Sequence, residues 1–204
     1  MTYPNLTALA AHHKIVLGSG SPRRLDLLTE TGIPFVQSIP SIPEIPTPGE
    51  APYDYAVRLA EEKAQVVSRH RSPGEIILGC DTIVVLDQII LEKPDSAEHA
   101  FEILSLLSGK AHIVCSAIAL GRQNRVLSSG FELTRVFFNP LDPEKIRRYI
   151  SSGEPMDKAG AYGIQGMGGF LVDRIEGNLD TVVGLPRTLL ERLAGEVLHC
   201  LRTS

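Results

Sequence analysis

Apolar residues near the N-terminus predict a short strand that runs into a helix. Ile15–Leu17 is an apolar run of strand length, and Ser21 followed by Pro22 is typical of a helix start. A serine hydroxyl can accept a hydrogen bond from a free N–H group of the first turn, and proline suits that turn because it has no N–H of its own. Leu27 and Leu28 then contribute to an apolar inner face of this helix.

A proline-rich stretch and a long helix follow. Residues 34 to 52 contain six prolines, and each proline fixes φ and removes a backbone donor, so we expect a long loop without regular structure. A helix is predicted from Pro52 to about His70. The apolar run IILGC predicts a buried strand that ends at Asp81, and TIVVL and IILE predict a β-hairpin with its turn near Asp87–Gln88.

The second half of the chain alternates helices with strands. Ser96 is expected to cap a helix that runs through Leu107, and strands at 111–121 and 125–138 follow each other closely enough to pair antiparallel. The remaining predicted elements are a helix from Asp142, the glycine-rich segment AGAYGIQGMGGF, the strand FLVDRI, and a final helix from Pro186 to about Leu201. This order predicts an α/β or α+β protein with a mixed sheet.

One lysine lies inside the apolar stripe of the helix predicted from Pro52. The stripe residues recur at intervals of three and four: Ala56, Leu59, Ala60, Lys63, Ala64 and Val67. The stem of Lys63 can cover apolar surface while its ammonium reaches water. Alternatively, Lys63 projects into a pocket and meets an anionic substrate.

The stretch GSGSPRR combines a strand end, small residues and a helix start, which is typical of phosphate sites. Arg23 and Arg24 place two cations at the positive end of the helix dipole, where an anion would relieve an electrostatic conflict. The pattern matches neither a P-loop nor a dinucleotide-binding loop. An ordinary capped helix with solvated arginines is therefore the alternative.

Several other polar residues have positions that suit either a catalytic or binding role or a purely local structural role. Asp81 follows an apolar strand, as catalytic carboxylates of α/β proteins do, although an aspartate there can also cap local backbone beside Thr82. Lys93 by itself indicates only a solvated loop lysine. Lys158 and Gln165 lie in or beside the glycine-rich segment, where bare backbone either lets a ligand approach closely or only shapes turns.

Composition and charge restrict the function classes. At 204 residues with 43% hydrophobic side chains, the chain can bury a sizeable core. A formal net charge of -4 argues against a general nucleic-acid or anionic-membrane binder, and no apolar run approaches the roughly 20 residues of a transmembrane helix. The three cysteines form no C-x-x-C pair, so we expect neither a disulfide framework nor a zinc knuckle, and a reducing cytoplasm fits.

Ordered motifs between about Ile15 and Leu193 resemble the Maf family of nucleoside triphosphate pyrophosphatases. The motifs are SGSPRR, RLAEEKA, GCDTIVV, LEKP, LSGKAH, SGEPMDKAGAYGIQG and VVGLP. The resemblance implies a mixed α/β fold with a two-lobed sheet and flanking helices, like that of inosine triphosphate pyrophosphatases (the Maf/Ham1 fold). We expect residues 14–204 to form this single domain and residues 1–13 to form an N-terminal extension, with the first dozen residues frayed.

The resemblance implies roles for individual residues of this chain. Asp81 matches the proton acceptor, and Gln165 matches the glutamine of a nucleobase-facing segment. The matches to phosphate-binding positions are Ser19, Ser21, Arg23, Arg24, Lys63 and Lys93. Arg23, Thr82 and Gln165 together match the branch that acts on dTTP and UTP rather than the branch that acts on methylated GTP.

A divalent metal ion, Mg²⁺ or Mn²⁺, is also expected. A carboxylate is a weak base for free water, whereas a bound metal can lower the pKa of water toward about 7. The expected metal ligands are Glu44 and Asp81. Two positions depart from the family pattern, because Pro43 stands where the family often has a second acidic residue and Thr181 replaces the asparagine before VVGLP.

The resemblance therefore implies hydrolysis of dTTP, UTP and modified pyrimidine triphosphates to the monophosphate and pyrophosphate, with a house-cleaning role in the nucleotide pool. The alternatives are a pyrophosphatase for another nucleotide, such as 7-methyl-GTP, and a non-catalytic nucleotide-binding regulator of septum formation. We expect a cytoplasmic protein that binds neither nucleic acid nor membrane. Because members of the family often dimerise, a homodimer is the candidate assembly.

Overall fold

The computed structural model describes residues 2–203 as an alternation of helices and strands. The α-helices are α1 (Pro4–His12), α2 (Pro22–Thr29), α3 (Pro52–Ser68), α4 (Ala97–Leu107), α5 (Pro143–Ile150), α6 (Leu179–Val183) and α7 (Arg187–Thr203). The strands are β1 (Ile15–Gly18), β2 (Phe35–Gln37), β3 (Ile76–Leu86), β4 (Ile89–Leu91), β5 (Ala111–Arg122), β6 (Arg125–Phe138) and β7 (Val172–Glu176). Short 3-10 helices span Glu154–Asp157, Ala159–Ala161 and Gly166–Leu171. Within residues 2–203, no helix has both the length and the apolar character needed to cross a bilayer.

The strands form a mixed sheet in the order β2-β1-β3-β5-β6-β7, with β4 paired to β3. β1 is parallel to both of its neighbours, so that Leu17 lies opposite Gln37 on β2 and opposite Leu78 on β3. The β3–β4 hairpin and the β6–β7 pair are antiparallel. The combination of parallel and antiparallel neighbours confirms the mixed α/β class predicted from the sequence.

The chain divides into two compact units. Unit 1 comprises the residues up to Asp81, Ser116–Glu132 and the residues from Gly184 onward, whereas unit 2 comprises Thr82–Cys115 and Leu133–Val183. The long strands β3, β5 and β6 therefore contribute residues to both units. In β3, the division falls directly after Asp81.

In unit 1, α3 packs closely against β3. A Cβ at Gly79 would lie 2.1 Å from the carbonyl oxygen of Ala60 and 2.8 Å from the backbone nitrogen of Ala64. No residue other than glycine fits at that distance, so the glycine allows the helix to lie directly on the strand. This packing buries the helix face that includes Lys63, which confirms the predicted stripe.

α1 and α7 also pack against each other in unit 1. Leu6 and Leu9 of α1 are fully buried. The Glu191 carboxylate on α7 accepts hydrogen bonds from the backbone N–H groups of Asn5 at 2.7 Å and Leu6 at 3.0 Å, and such groups at a helix start have no partner within the helix. The expectation that the first dozen residues fray is therefore wrong for α1, because a helix far along the chain holds it.

Unit 2 has its own apolar core and confirms two predicted helix starts. Leu104 of α4, Val136 of β6 and Tyr149 of α5 lie in this core. Ser96 caps α4 by accepting a backbone N–H at 3.0 Å, and Asp142 caps α5 in the same way at 2.8 Å. Both residues stand where the sequence placed them.

Several local predictions are wrong. The proline-rich stretch is not entirely loop, because Phe35–Gln37 pairs with β1 as strand β2. β3 does not end at Asp81 but continues to Leu86, so one strand includes both predicted strands. Ser21 is the N-cap residue of α2, but its side chain makes no capping hydrogen bond. The 3-10 helices and α6 were not predicted.

Candidate active site

A buried lysine contacts two carboxylates in unit 1. The ammonium nitrogen of Lys63 lies 2.6 Å from Asp81 Oδ1 and 2.6 Å from Glu44 Oε1. The side chains of Lys63 and Asp81 are almost completely buried, whereas that of Glu44 is 40% exposed. Buried charges are tolerated when they are paired, and here one cation serves two anions. Lys63 therefore does not simply cover apolar surface and reach water.

Asp81 reaches this contact from the middle of β3. The last residue of β1, Gly18, pairs with Gly79, so Asp81 lies beyond the carboxyl end of β1 even though β3 continues. The expectation of a carboxylate at a strand end is thus wrong for β3, but Asp81 does lie where the neighbouring parallel strand has ended. Asp81 contacts Lys63 from within a strand, so it is not the turn aspartate that the alternative interpretation expected to cap local backbone.

The loop that carries Glu44 is held by Arg58 of α3. Arg58 donates hydrogen bonds to the two carboxylate oxygens of Glu50 at 2.6 and 2.7 Å. It also donates to the carbonyl oxygen of Ile45 at 3.0 Å and to Glu62 at 3.0 Å. The hydrogen bonds from Arg58 lower the pKa of Glu50 to about 2. Because Ile45 follows Glu44 directly, this clamp fixes the backbone beside the predicted metal ligand.

Arg24 connects three parts of unit 1. Its Nε donates to the carbonyl oxygen of Gly184 at 2.9 Å, and its Nη1 donates to Ser19 Oγ and to the carbonyl oxygen of Cys80, both at 3.1 Å. Ser19 Oγ also accepts the backbone N–H of Ser21 at 3.2 Å. Arg24 thereby ties the end of β1 to β3.

The remaining predicted site residues occupy other positions. Arg23 is half-buried in the first turn of α2, in unit 1. Thr82 follows Asp81 directly in β3, while Lys93 and Gln165 are exposed, after β4 and before the 3-10 helix Gly166–Leu171 respectively. The residues placed in unit 1 are Ser19, Ser21, Arg23, Arg24, Glu44, Lys63 and Asp81, and those placed in unit 2 are Thr82, Lys93 and Gln165.

Some residues that shape these regions were missed by the sequence reasoning. They are Glu50 and Arg58 in unit 1 and Tyr149 and Glu154 in unit 2. The i,i+4 spacing of Arg58 and Glu62 on one helix could have been found in the sequence. The other contacts bridge loops, and the path of a loop is not encoded in a residue spacing.

The cysteine next to Asp81 has no nucleophilic character. Burial raises the pKa of the Cys80 thiol to about 11, although the charges of Arg24 and Lys63 act in the opposite direction. A thiol that stays protonated is a poor nucleophile. Cys80 therefore serves packing.

Two carboxylates of the site converge on one point, since Glu44 and Asp81 contact the same ammonium. Mg²⁺ prefers oxygen ligands and is commonly held by one or two carboxylates together with substrate phosphates and water. Among residues 2–203, no group of three or more His, Cys, Asp and Glu side chains forms a metal-binding cluster. Two carboxylates are oxygen donors of the kind that this cation binds, and in this structure both contact the Lys63 ammonium.

The sequence matches a known family and its curated members. The family model described as Maf-like protein matches residues 14–197. The dTTP/UTP pyrophosphatase of Escherichia coli O6:K15:H31 (strain 536 / UPEC) is 46% identical over 172 residues, which are 84% of this chain and 87% of that protein. The dTTP/UTP pyrophosphatase of Salmonella typhimurium (strain LT2) is 48% identical over the same lengths.

Two solved structures are more distantly similar. One is the nucleoside-triphosphatase / dITP/XTP pyrophosphatase from Mycobacterium abscessus, which is 19% identical with a TM-score of 0.46, covering 93% of this chain and 97% of that chain. The other is a HAM1 protein from Coxiella burnetii, which is 16% identical with a TM-score of 0.48, covering 94% and 98%. These similarities are too weak to bear on activity.

Proposed function

The chain belongs to the Maf family, and from this membership we propose that it hydrolyses dTTP, UTP and modified pyrimidine triphosphates to the nucleoside monophosphate and pyrophosphate. The two curated dTTP/UTP pyrophosphatases support the reaction and the substrates. The structural observation that carries the proposal is the buried ammonium of Lys63 between Asp81 and Glu44. It places a carboxylate that can accept a proton beside a cation, and phosphoryl transfer uses both kinds of group.

Asp81 is the residue we assign to accept a proton from the attacking water. Lys63 donates to Oδ1 at 2.6 Å and thereby fixes the orientation of the carboxylate. Oδ2 is then the oxygen that takes the proton. Because the side chain is almost fully buried in β3, its position is set by the strand and by Lys63 rather than by solvent.

Glu44 and Asp81 are the residues we assign to a divalent cation, Mg²⁺ or Mn²⁺. Such a cation supplies positive charge against the phosphates and a lower pKa to water. Arg58 holds the loop of Glu44 through Ile45 and Glu50, and the carboxylates of Glu44 and Asp81 both contact the Lys63 ammonium. Pro43, at the position where relatives often carry a second acid, leaves Glu44 as the acidic residue of this pair.

The phosphates are assigned to cations and to the start of α2. Arg23, Lys63 and Lys93 supply positive charge, and the first turn of α2 supplies backbone N–H groups. Arg24 contributes by holding Ser19 and the carbonyl groups described above, because its Nε and Nη1 already donate to the protein. Its role is therefore to shape the loop as well as to add charge.

Base selectivity is assigned to Arg23, Thr82 and Gln165. A panel of dTTP, UTP, CTP, GTP, ITP and 7-methyl-GTP, each with Mg²⁺ or Mn²⁺, tests the substrate preference when pyrophosphate and monophosphate are both measured. We expect the highest kcat/KM for dTTP and UTP. A preference for 7-methyl-GTP would instead assign the chain to the branch of the family that acts on methylated GTP. Tight binding without turnover of any nucleotide would favour a non-catalytic regulator of septum formation.

The assignment of Asp81 has its own test. Asp81→Asn is expected to lower turnover of UTP by about 10²- to 10⁴-fold, which is the usual contribution of a general base. Circular dichroism and UTP binding show whether the variant is folded. Asp173→Asn, at an exposed residue of β7, is the matched control and should leave turnover unchanged. Near-normal turnover of a folded Asp81→Asn protein contradicts the role.

The cytoplasmic location, the house-cleaning role and the homodimer belong to the same proposal and derive from the family resemblance. Light scattering coupled to size-exclusion chromatography separates a monomer of 22.2 kDa from a dimer. A single species at the monomer mass removes the homodimer from the proposal without affecting the reaction.

A further inference from the structure

Glu154 fixes the backbone that follows Gln165 in unit 2. Its Oε2 accepts the N–H of Met167 at 3.0 Å, and its Oε1 accepts the N–H of Gly168 at 3.1 Å. Both N–H groups belong to the first turn of the 3-10 helix Gly166–Leu171, where backbone donors lack partners within the helix. The carboxylate caps this helix from 13 and 14 residues earlier in the chain and holds the C-terminal side of Gln165.

Tyr149 fixes the backbone that precedes Gln165. Its hydroxyl accepts the N–H of Gly163 at 3.0 Å and donates to Glu154 Oε1 at 3.0 Å. The ring lies in the core of unit 2, and burial raises the pKa of the hydroxyl, so that it remains a donor. Tyr149 and Glu154 therefore form one connected support for both flanks of Gln165.

The backbone around this support is too crowded to shift freely. A Cβ at Gly168 would lie 2.3 Å from the carbonyl oxygen of Gly163 and 2.7 Å from the hydroxyl of Tyr149. Gly166 has a φ of +75°, which side-chain-bearing residues rarely adopt. The two flanks of the segment thus pass directly against each other, and displacing either one moves Gln165.

Gln165 is exposed at the tip of this supported segment, and its side chain makes no capping bond to the helix that follows. A carboxamide offers both a donor and an acceptor, which complement the N–H and carbonyl groups on the edge of uracil or thymine. A site built to make such bonds rejects bases that cannot make them, provided that the amide is held in place.

We propose that Glu154 and Tyr149 are positioning residues that set the nucleobase selectivity of this chain by holding Gln165. The inference rests on the proposed function, in which Gln165 faces the base. It assigns no contact with phosphate to either residue.

The test compares Gln165→Ala, Glu154→Gln, Tyr149→Phe and the double variant Gln165→Ala/Glu154→Gln. The selectivity is the ratio of kcat/KM for UTP to kcat/KM for GTP. Gln165→Ala should lower this ratio by about tenfold or more, because the base then loses its hydrogen-bonding partner. Glu154→Gln and Tyr149→Phe should lower it in the same direction by about three- to tenfold. The control is Glu176→Gln, at an exposed residue of β7, which should leave the ratio unchanged.

Two further readouts separate positioning from a general structural defect. Inorganic triphosphate has no base, so its inhibition constant against UTP hydrolysis should be the same for the single variants and the wild type. The double variant should match Gln165→Ala alone, because residues that act through one another have non-additive effects. Additive losses, or a weakened inhibition constant, overturn the inference.

The remaining outcomes distinguish this inference from the proposed function. If Gln165→Ala lowers the ratio but Glu154→Gln and Tyr149→Phe do not, the inference fails and the proposed function stands. If Gln165→Ala leaves the ratio unchanged while UTP is still hydrolysed, the assignment of Gln165 fails, and the inference fails with it. Should Glu154→Gln not fold, Tyr149→Phe decides, because it removes one hydroxyl and keeps the carboxylate's two backbone bonds.

Discussion

The two units hold their functional residues in different ways. In unit 1 the residues form ion pairs: Lys63 contacts Asp81 and Glu44, and Arg58 contacts Glu50. In unit 2, the glycine-rich segment is held by hydrogen bonds from backbone N–H groups to one carboxylate and one hydroxyl. His112, which is buried in unit 2, is also kept neutral, because burial lowers its pKa to about 4. Lys63, Asp81 and Glu44 of unit 1 are thus held by ion pairs, whereas the segment around Gln165 in unit 2 is held by directed hydrogen bonds.

This difference corresponds to the two tasks of the proposed reaction, although Lys93 of unit 2 is also assigned to the phosphates and Arg23 of unit 1 also to the base. Neutralising a triphosphate needs concentrated positive charge, whose effect depends strongly on distance and weakly on direction. Distinguishing one neutral base from another needs directed donors and acceptors, whose effect is lost when they move. Variants that remove a charge assigned only to the phosphates, such as that of Lys63, should therefore affect all nucleotides alike. Variants that loosen the backbone of unit 2, Glu154→Gln among them, should affect some nucleotides more than others.

Among the variants that test this contrast, the largest effect is expected at Lys63. Lys63→Met removes the cation shared by two carboxylates, so we expect turnover of UTP to fall by about 10³-fold. The free energy of unfolding should fall by about 3 kcal/mol, because breaking a buried pair leaves an uncompensated charge. Pyrophosphate release and urea denaturation measure the two quantities. Lys145→Met, at an exposed lysine of α5, is the control, and equal losses for both variants would contradict the special role of Lys63.

A smaller effect is expected at Arg24. The ammonium of Arg24→Lys cannot reproduce the guanidinium's bonds to Gly184, Ser19 and Cys80, so we expect to lose about 2 kcal/mol of unfolding free energy. Arg192→Lys, at an exposed pair on α7, is the control and should change stability by less than about 0.5 kcal/mol. If Arg24→Lys instead keeps full stability and weakens nucleotide binding, Arg24 acts mainly on phosphate and the charges of unit 1 are less structural than we infer.

Much of the fold could be predicted because its signals are local. Apolar periodicity predicted α3 and its buried stripe, and capping residues predicted the starts of α4 and α5. Local signals failed at Asp81. An acidic residue inside an apolar run indicates the end of a strand, because isolated carboxylates rarely lie in buried strands. The tertiary contact with Lys63 removes that objection, and a single sequence does not show it.

The sequence predicted the residues of the site better than the contacts that hold them. The family motifs indicated Lys63, Asp81 and Gln165, but not what holds them in place. The partner of Arg24 at Gly184 lies far away in the chain, and the contact between Arg58 and Glu50 depends on the path of a proline-rich loop. Such contacts depend on the folded backbone and leave no periodic pattern in the sequence.

Acid should weaken unit 1 through Glu50. Because the folded pKa of about 2 lies below the ordinary value of 4.5, the stabilisation is present above the ordinary pKa and is lost as the pH falls toward 2. We expect about 1 to 2 kcal/mol of unfolding free energy to disappear between about pH 5 and pH 3. Glu50→Gln should show a correspondingly flatter pH dependence in urea titrations. Parallel curves for wild type and variant would mean that the clamp on the Glu44 loop does not depend on this charge.

The smallest effect is expected at His112 in unit 2, and it lies in another pH window. His112 packs against the rings of Phe138 and Tyr162, and its Nε2 lies 2.8 Å from the Tyr162 hydroxyl. Burial lowers the pKa of His112 to about 4 and raises the pKa of Tyr162. Because the unfolded histidine takes up a proton near pH 6.5 and the folded one does not, stability should fall with decreasing pH, by about 1 kcal/mol between about pH 7 and pH 5.5. His112→Gln removes the titration, so its urea curves should change less over this range. Equal slopes for wild type and His112→Gln would show that this core tolerates a charge, and the contrast between the buried ion pairs of unit 1 and the uncharged core of unit 2 would fail.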